Sequence, residues 1–177
     1  AAWDGSRAEV IRIEPDQRLE VLAAIPEFHL PTEQARNVLP QQVPLSDAVF
    51  NVSRSSLLVA ALMSGRLDLL GVAMRDALHQ PYREELIPGM KDILAGAADR
   101  GALGIALSGA GPTLLAFIES GSERLSELER FLLGTFSERN VRASVMRLKP
   151  CPQGAELLTV PEESSTFIQT IKGEVRA

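Results

Sequence analysis

Cysteine is nearly absent from this chain: Cys151 stands alone among 177 residues. A single thiol excludes an internal disulfide framework and any thiolate zinc cluster, and it favours a reducing compartment. A basic excess is also missing, with 18 Lys+Arg against 23 Asp+Glu and a formal net charge of −5. Nucleic acid is therefore excluded as an expected partner, because its binding draws on clustered cations that release counterions. Long hydrophobic runs are missing too. The longest, Leu57 to Met63, is less than half of what crosses a bilayer, so no membrane association is expected. Ala1 to Gly5 carry neither the basic nor the apolar region of a signal peptide, and the expected location is cytoplasmic.

Reactive signatures are equally scarce. His29 and His79 have no ligand-like His or Cys near them in sequence, which argues against zinc. No Ser occupies a Gly-x-Ser-x-Gly elbow, and Cys151, followed by Pro152, has no evident activating partner. Covalent catalysis is therefore unsupported. What the chain does have is apolar content. With 45% hydrophobic and 23% charged residues it can bury the core of one ordinary domain, or of two small ones at most.

Residues 8 to 13 and 19 to 25 are rich in β-branched and apolar residues around a Pro15-Asp16 turn, and predict a β-hairpin. After a proline-punctuated connection with a helical turn or two near Thr32 to Val38, Ser46 to Met63 reads as a helix. Its apolar residues leave almost no wholly polar face, so it is expected to be largely buried. Asp47, Asn51 and Arg54 form one stripe on it at i, i+4 and i+7. A buried guanidinium requires a partner; an internal ion pair, a snorkelling side chain or a ligand would each satisfy it. A second helix is expected from Asp68 to about Leu78, ended by Pro81. A polar loop through Tyr82 and Arg83 follows, and then a third helix that stops at Gly101.

Two apolar runs, 102 to 107 and 113 to 118, flank Ser108-Gly109-Ala110-Gly111-Pro112. Glycines in such a turn permit positive φ, and its N–H groups can cradle an anion. A tight connection between strands is the plainer reading. It is not a Walker loop, for it lacks Gly-Lys-Ser/Thr and leads into a strand. A helix from Ser122 to Glu138 and a strand from Val141 complete the order. Counted from Leu19, this is the β-α-β-β-α-β order of an α+β, ferredoxin-like split βαβ domain with helices inserted in its first crossover. Arg54 and Arg83 are the residues best suited to bidentate recognition of a carboxylate or phosphate, with independent surface ion pairs as the alternative.

The run Gly104 to Thr113 resembles the third, C-terminal glycine motif of the GHMP small-molecule kinases. Within that superfamily, Asp76 to Gly89 (Asp-Ala-Leu-His-Gln-Pro-Tyr-Arg-Glu-Glu-Leu-Ile-Pro-Gly), Val49 to Arg54 and Thr32 to Pro40 resemble the homoserine kinases. The similarity covers roughly Trp3 to Leu158. It implies ATP-dependent phosphorylation of the homoserine hydroxyl, a step of threonine biosynthesis. Arg54 and Arg83 would grip the substrate α-carboxylate, with Asn51 also among the substrate-binding residues. Ser108, Gly109, Ala110, Gly111 and Thr113 would lie near the phosphates. No catalytic residue or metal ligand is assigned in this chain.

The cofactors implied are ATP and Mg²⁺, held mainly by an N-terminal part whose Gly-Leu-Gly-Ser-Ser-type phosphate loop does not occur here. The division implied is a hairpin over 1 to 30 that belongs to that part, a GHMP kinase C-terminal domain over 31 to 159, and a tail over 160 to 177. Alone, the chain is expected to be inactive and to present an apolar edge that would favour oligomers such as a homodimer. Two alternatives remain: another GHMP kinase acting on a mevalonate derivative or a sugar, and a ferredoxin-like ligand-binding module without catalysis.

Overall fold

The computed structural model describes residues 2 to 152; the expected tail and the expected domain end at 159 lie outside them. The elements run β1 (Ala2–Trp3), β2 (Ala8–Glu9), β3 (Leu19–Pro26), α1 (Thr32–Asn37), α2 (Leu45–Ser64), α3 (Leu70–Ala73), α4 (Gln80–Arg83), α5 (Met90–Gly96), β4 (Gly104–Leu107), β5 (Leu114–Glu119), α6 (Leu125–Glu138) and β6 (Ala143–Leu148). Short 3₁₀ turns at Leu67–Leu69, Glu84–Leu86 and Ala98–Arg100 extend α3, α4 and α5.

Four strands form one antiparallel sheet in the order β4-β5-β3-β6. This is the expected split βαβ arrangement, in which the first and third strands lie side by side at the centre. Alternation along β5 explains one face: Leu114, Ala116 and Ile118 point into the core. They meet Leu22 and Ala24 of β3, Leu128, Leu132 and Phe136 of α6, and Met90 and Ile93 of α5. A smaller cluster of Leu19, Ala61, Leu67 and Leu70 joins α2 and α3 to the end of the sheet. Gly104 permits this approach, since a Cβ there would lie 2.6 Å from the Met74 sulfur and 3.0 Å from the Leu70 carbonyl carbon.

Three expectations are corrected. The expected pairing of 8 to 13 with 19 to 25 does not form, because β3 is hydrogen-bonded on one edge to β5 and on the other to β6. β2 pairs instead with β1, across a turn whose Ser6 and Arg7 N–H groups donate to the Asp4 carboxylate at 2.8 Å. Leu19–Pro26 is therefore part of the four-stranded sheet, although the expected division assigns it to the hairpin.

The second correction concerns α2, of which only Ala61 is buried. One stripe, including Leu58 and Leu62, packs on the smaller cluster. Among the described residues nothing covers Val49, Val52, Val59 and Met63, which are 59%, 66%, 48% and 62% exposed.

Third, the helix expected over 68 to 78 ends at Ala73. The Asp76 side chain accepts from N–H groups that would otherwise continue it, and a new helical segment with Pro81 in its first turn begins at Gln80. No helix among the described residues is long and apolar enough to cross a membrane.

Candidate functional site

Proline in the first turn of α4 has no N–H of its own to leave unsatisfied, and the segment is short enough that its side chains decide its place. Gln80 Oε1 accepts from the Leu107 N–H at 2.8 Å, which fastens α4 to the end of β4. Arg83 is buried, and its guanidinium donates to two carbonyls: Nε to Ala35 at 2.9 Å and Nη1 to Gly109 at 3.1 Å. It therefore joins α1 to the glycine turn while its charge meets no carboxylate among the described residues.

The glycine turn is closed on itself by Ser108 N–H to Thr113 carbonyl at 2.8 Å and Gly111 N–H to Ser108 carbonyl at 2.9 Å. Gly111 has φ +91°, so the backbone favours glycine, and a Cβ there would stand 2.9 Å from both Ile87 Cδ1 and Leu107 Cδ1, side-chain ends that would have to shift to admit it. Gly109, at φ +58°, has nothing within 4 Å of a Cβ position. Ala110 packs against the main core, and the turn lies where Arg83 reaches it.

Arg54 comes from α2. Its Cζ lies 4.6 Å from the centroid of the Phe50 ring, one turn back, which favours a cation electrostatically. Its Nε is buried and has no hydrogen-bond partner among the described residues. The plainer reading from sequence is an internal ion pair or a snorkelling side chain, and among the described residues no ion pair forms. A desolvated donor without an acceptor is costly, and an anion reaching it would remove that cost.

Asn51, one turn before Arg54, is engaged by the protein. Its Nδ2 donates to Asp76 Oδ1 at 2.6 Å, and its Oδ1 accepts from the Ala77 N–H at 2.8 Å. Asp76 also accepts from the N–H groups of Leu78, His79 and Gln80 at 3.0, 2.8 and 2.5 Å. Burial by itself would raise the Asp76 pKa, but hydrogen bonds from Asn51 and from these three N–H groups outweigh it and hold the carboxyl at about 2. His79 Nδ1 lies 3.4 Å from Asp76 Oδ1.

One cavity of about 420 Å³ gathers Asn51, Arg54, Asp76, His79, Arg83 and Gly109. The structure thus brings the two sequence-predicted arginines and the glycine turn to the same space. Ser108, Gly111 and Thr113 define the turn beside it without lining it. Asp76 was missed as a sequence candidate. Its signal was an Asx residue between the end of one helix and the start of the next, where such side chains cap N–H groups.

Neither cofactor finds a full set of donors here. Among the described residues no group of three His, Cys, Asp or Glu could hold a metal ion. The glycine turn connects two strands and does not open a helix, so it lacks the aligned N–H groups that bind a polyphosphate.

Residues 58–132 match the family model described as GHMP kinases C terminal. The chain is 42% identical over 158 residues to the homoserine kinase of Moorella thermoacetica, covering 89% of this chain and 52% of that protein. The crystal structure of homoserine kinase from Cytophaga hutchinsonii superposes with a TM-score of 0.74 at 32% identity, over 80% of this chain and 44% of that one. The L. major mevalonate kinase structure, solved in complex with R-mevalonate, shares the fold at TM-score 0.50 and 18% identity, over 80% of this chain and 46% of that one. The chain spans about half the length of the curated relatives it matches. In sequence and in fold alike, residues 58–132 are those of a GHMP kinase C-terminal domain.

Proposed function

We propose that this chain is the substrate-carboxylate-binding portion of an ATP-dependent homoserine kinase, which transfers a phosphoryl group to the homoserine hydroxyl. The observation that carries the reading is the buried Nε of Arg54, without a hydrogen-bond partner among the described residues, in a cavity that it shares with Arg83. Two guanidiniums that meet no carboxylate among the described residues offer charge-assisted hydrogen bonds to an α-carboxylate. Anchoring the carboxylate would fix the far end of a short substrate and so orient its hydroxyl, and positioning accounts for much of phosphoryl-transfer catalysis. The similarity to homoserine kinases along most of the chain supports the same substrate. Since the described residues do not fit Mg²⁺ or a polyphosphate, both are assigned to the remainder of the protein, and the isolated chain should lack activity. Threonine biosynthesis and a cytoplasmic setting belong to this reading.

The test uses the full-length enzyme and two substrates. Losing a hydrogen bond to a charged group costs about 1.5–3 kcal/mol, so Arg54→Ala should lower kcat/KM for homoserine roughly 10- to 150-fold. With 3-amino-1-propanol, which lacks the carboxylate, parent and variant should be alike. An equal loss on both substrates, or none on homoserine, would overturn the carboxylate assignment. A carboxylate-free sugar as the preferred acceptor would favour another GHMP activity, and threonine binding without turnover would favour a regulatory module.

A further inference from the structure

Arg54 and Arg83 stand on different helices, and a carboxylate can be gripped by both only if their separation is held. Hydrophobic packing between them is limited, for α2 packs its stripe on the smaller cluster, to which α4, spanning only Gln80–Arg83, contributes no residue. The direct link between the two helices is polar. Asn51, on the same stripe of α2 as Arg54, donates through Nδ2 to Asp76 Oδ1 at 2.6 Å and accepts at Oδ1 from Ala77 N–H at 2.8 Å. Asp76 then holds the His79 and Gln80 N–H groups at 2.8 and 2.5 Å, where α4 begins.

We propose that Asn51 and Asp76 are positioning residues, a side-chain brace that sets the distance from Arg54 to Arg83; this rests on the carboxylate reading above. Asn51 then acts through its neighbours and does not touch the substrate, because both ends of its amide are already engaged. The brace continues beyond α4. Gln80 Oε1 accepts from Leu107 N–H, and Arg83 Nη1 donates to the Gly109 carbonyl, so that α2, α4 and the glycine turn are held as one unit.

A swap of side chains in the full-length enzyme tests the proposal. Asn51→Asp sets a second carboxylate against Asp76 and should raise the KM for homoserine at least tenfold, by like-charge repulsion, while the KM for ATP stays within about threefold. Adding Asp76→Asn opposes the new carboxylate with an amide and restores the contact in the reverse direction. The double variant should return to within roughly threefold of the parent KM, the recovery that defines coupling between touching residues. A double variant no better than Asn51→Asp, with both melting as the parent does, would overturn the brace and make Asn51 a substrate contact. If the parent enzyme fails to phosphorylate homoserine, the functional reading falls separately. The brace is then read from melting temperature: recovery of the Asn51→Asp loss by the swap sustains it, and no recovery sinks it.

Discussion

α6 and α2 are built from similar apolar residues and meet opposite fates. Along α6, Leu128, Leu132 and Phe136 recur at helical spacing opposite a charged face, and all three are completely buried against the sheet. Along α2 the apolar residues go almost all the way round, yet four of them stand roughly half to two-thirds exposed. A polar face tells the helix which side to bury. Where that face is missing, apolar content measures how much surface wants cover and says little about which part of this chain supplies it.

The largest effect expected from this contrast is in stability. Truncating a fully buried aromatic ring removes its transfer free energy and leaves a cavity, so Phe136→Ala should cost about 3–5 kcal/mol. Val52→Ala, on the open side of α2, should stay within about 0.5 kcal/mol. Urea unfolding of the 177-residue chain compares them. Equal costs would mean that α2 is packed as tightly as α6, and the contrast would fail.

The glycine turn repeats the comparison on a smaller scale. At Gly111 a methyl group would add contacts at 2.9 Å to a positive φ, whereas at Gly109 it would meet only the positive φ. Left-handed strain costs about 1–2 kcal/mol and overpacking about 1–3 kcal/mol more. In thermal melts of the full-length protein, Gly111→Ala should therefore lower the melting temperature about twice as far as Gly109→Ala. Equal shifts would show that Ile87 and Leu107 give way freely, and that conformation alone selects these glycines.

The same contrast explains what was legible in the sequence. Strand order, α6 and the glycine turn could be read because alternation, helical spacing and Gly-Ala-Gly are local patterns that tertiary contacts here reinforce. Arg54 and Arg83 could be picked out as cations in apolar or proline-marked surroundings. The order counted from Leu19 put that strand in the sheet, but whether 8 to 13 would also pair with it could not be read, since a strand shows no preference in its own residues between a near segment and strands about a hundred residues away. Asp76 was hidden for a related reason. Helical spacing through Ala77 and Leu78 argued for continuation, and a single carboxylate accepting three N–H groups overrode it.

Glu20 and Asp76 offer the smallest and most selective test, since both carboxyls are held below their ordinary pKa by different means. Glu20, in the sheet, is held first by its hydrogen bond with the Arg147 side chain and then by Ser120 and the charges of Arg147 and Lys149. Asp76, in the cleft, is held by neutral N–H donors: burial opposes ionisation, and Asn51 with three backbone amides outweighs it, from 3.8 to about 2. A carboxyl whose folded pKa lies below its unfolded value stabilises the fold above the unfolded pKa, and that stability is lost as pH falls through the folded one. The Asp76 contribution should thus be complete above about pH 4 and fade towards pH 2, and Asp76→Asn should flatten this part of a stability-against-pH curve. Added salt screens charge pairs and leaves neutral hydrogen bonds largely intact. The part of the acid loss removed by Glu20→Gln should therefore shrink between low and high ionic strength, while the part removed by Asp76→Asn persists. Equal salt sensitivity of the two would mean that a charge, and not the amides, holds Asp76 ionised.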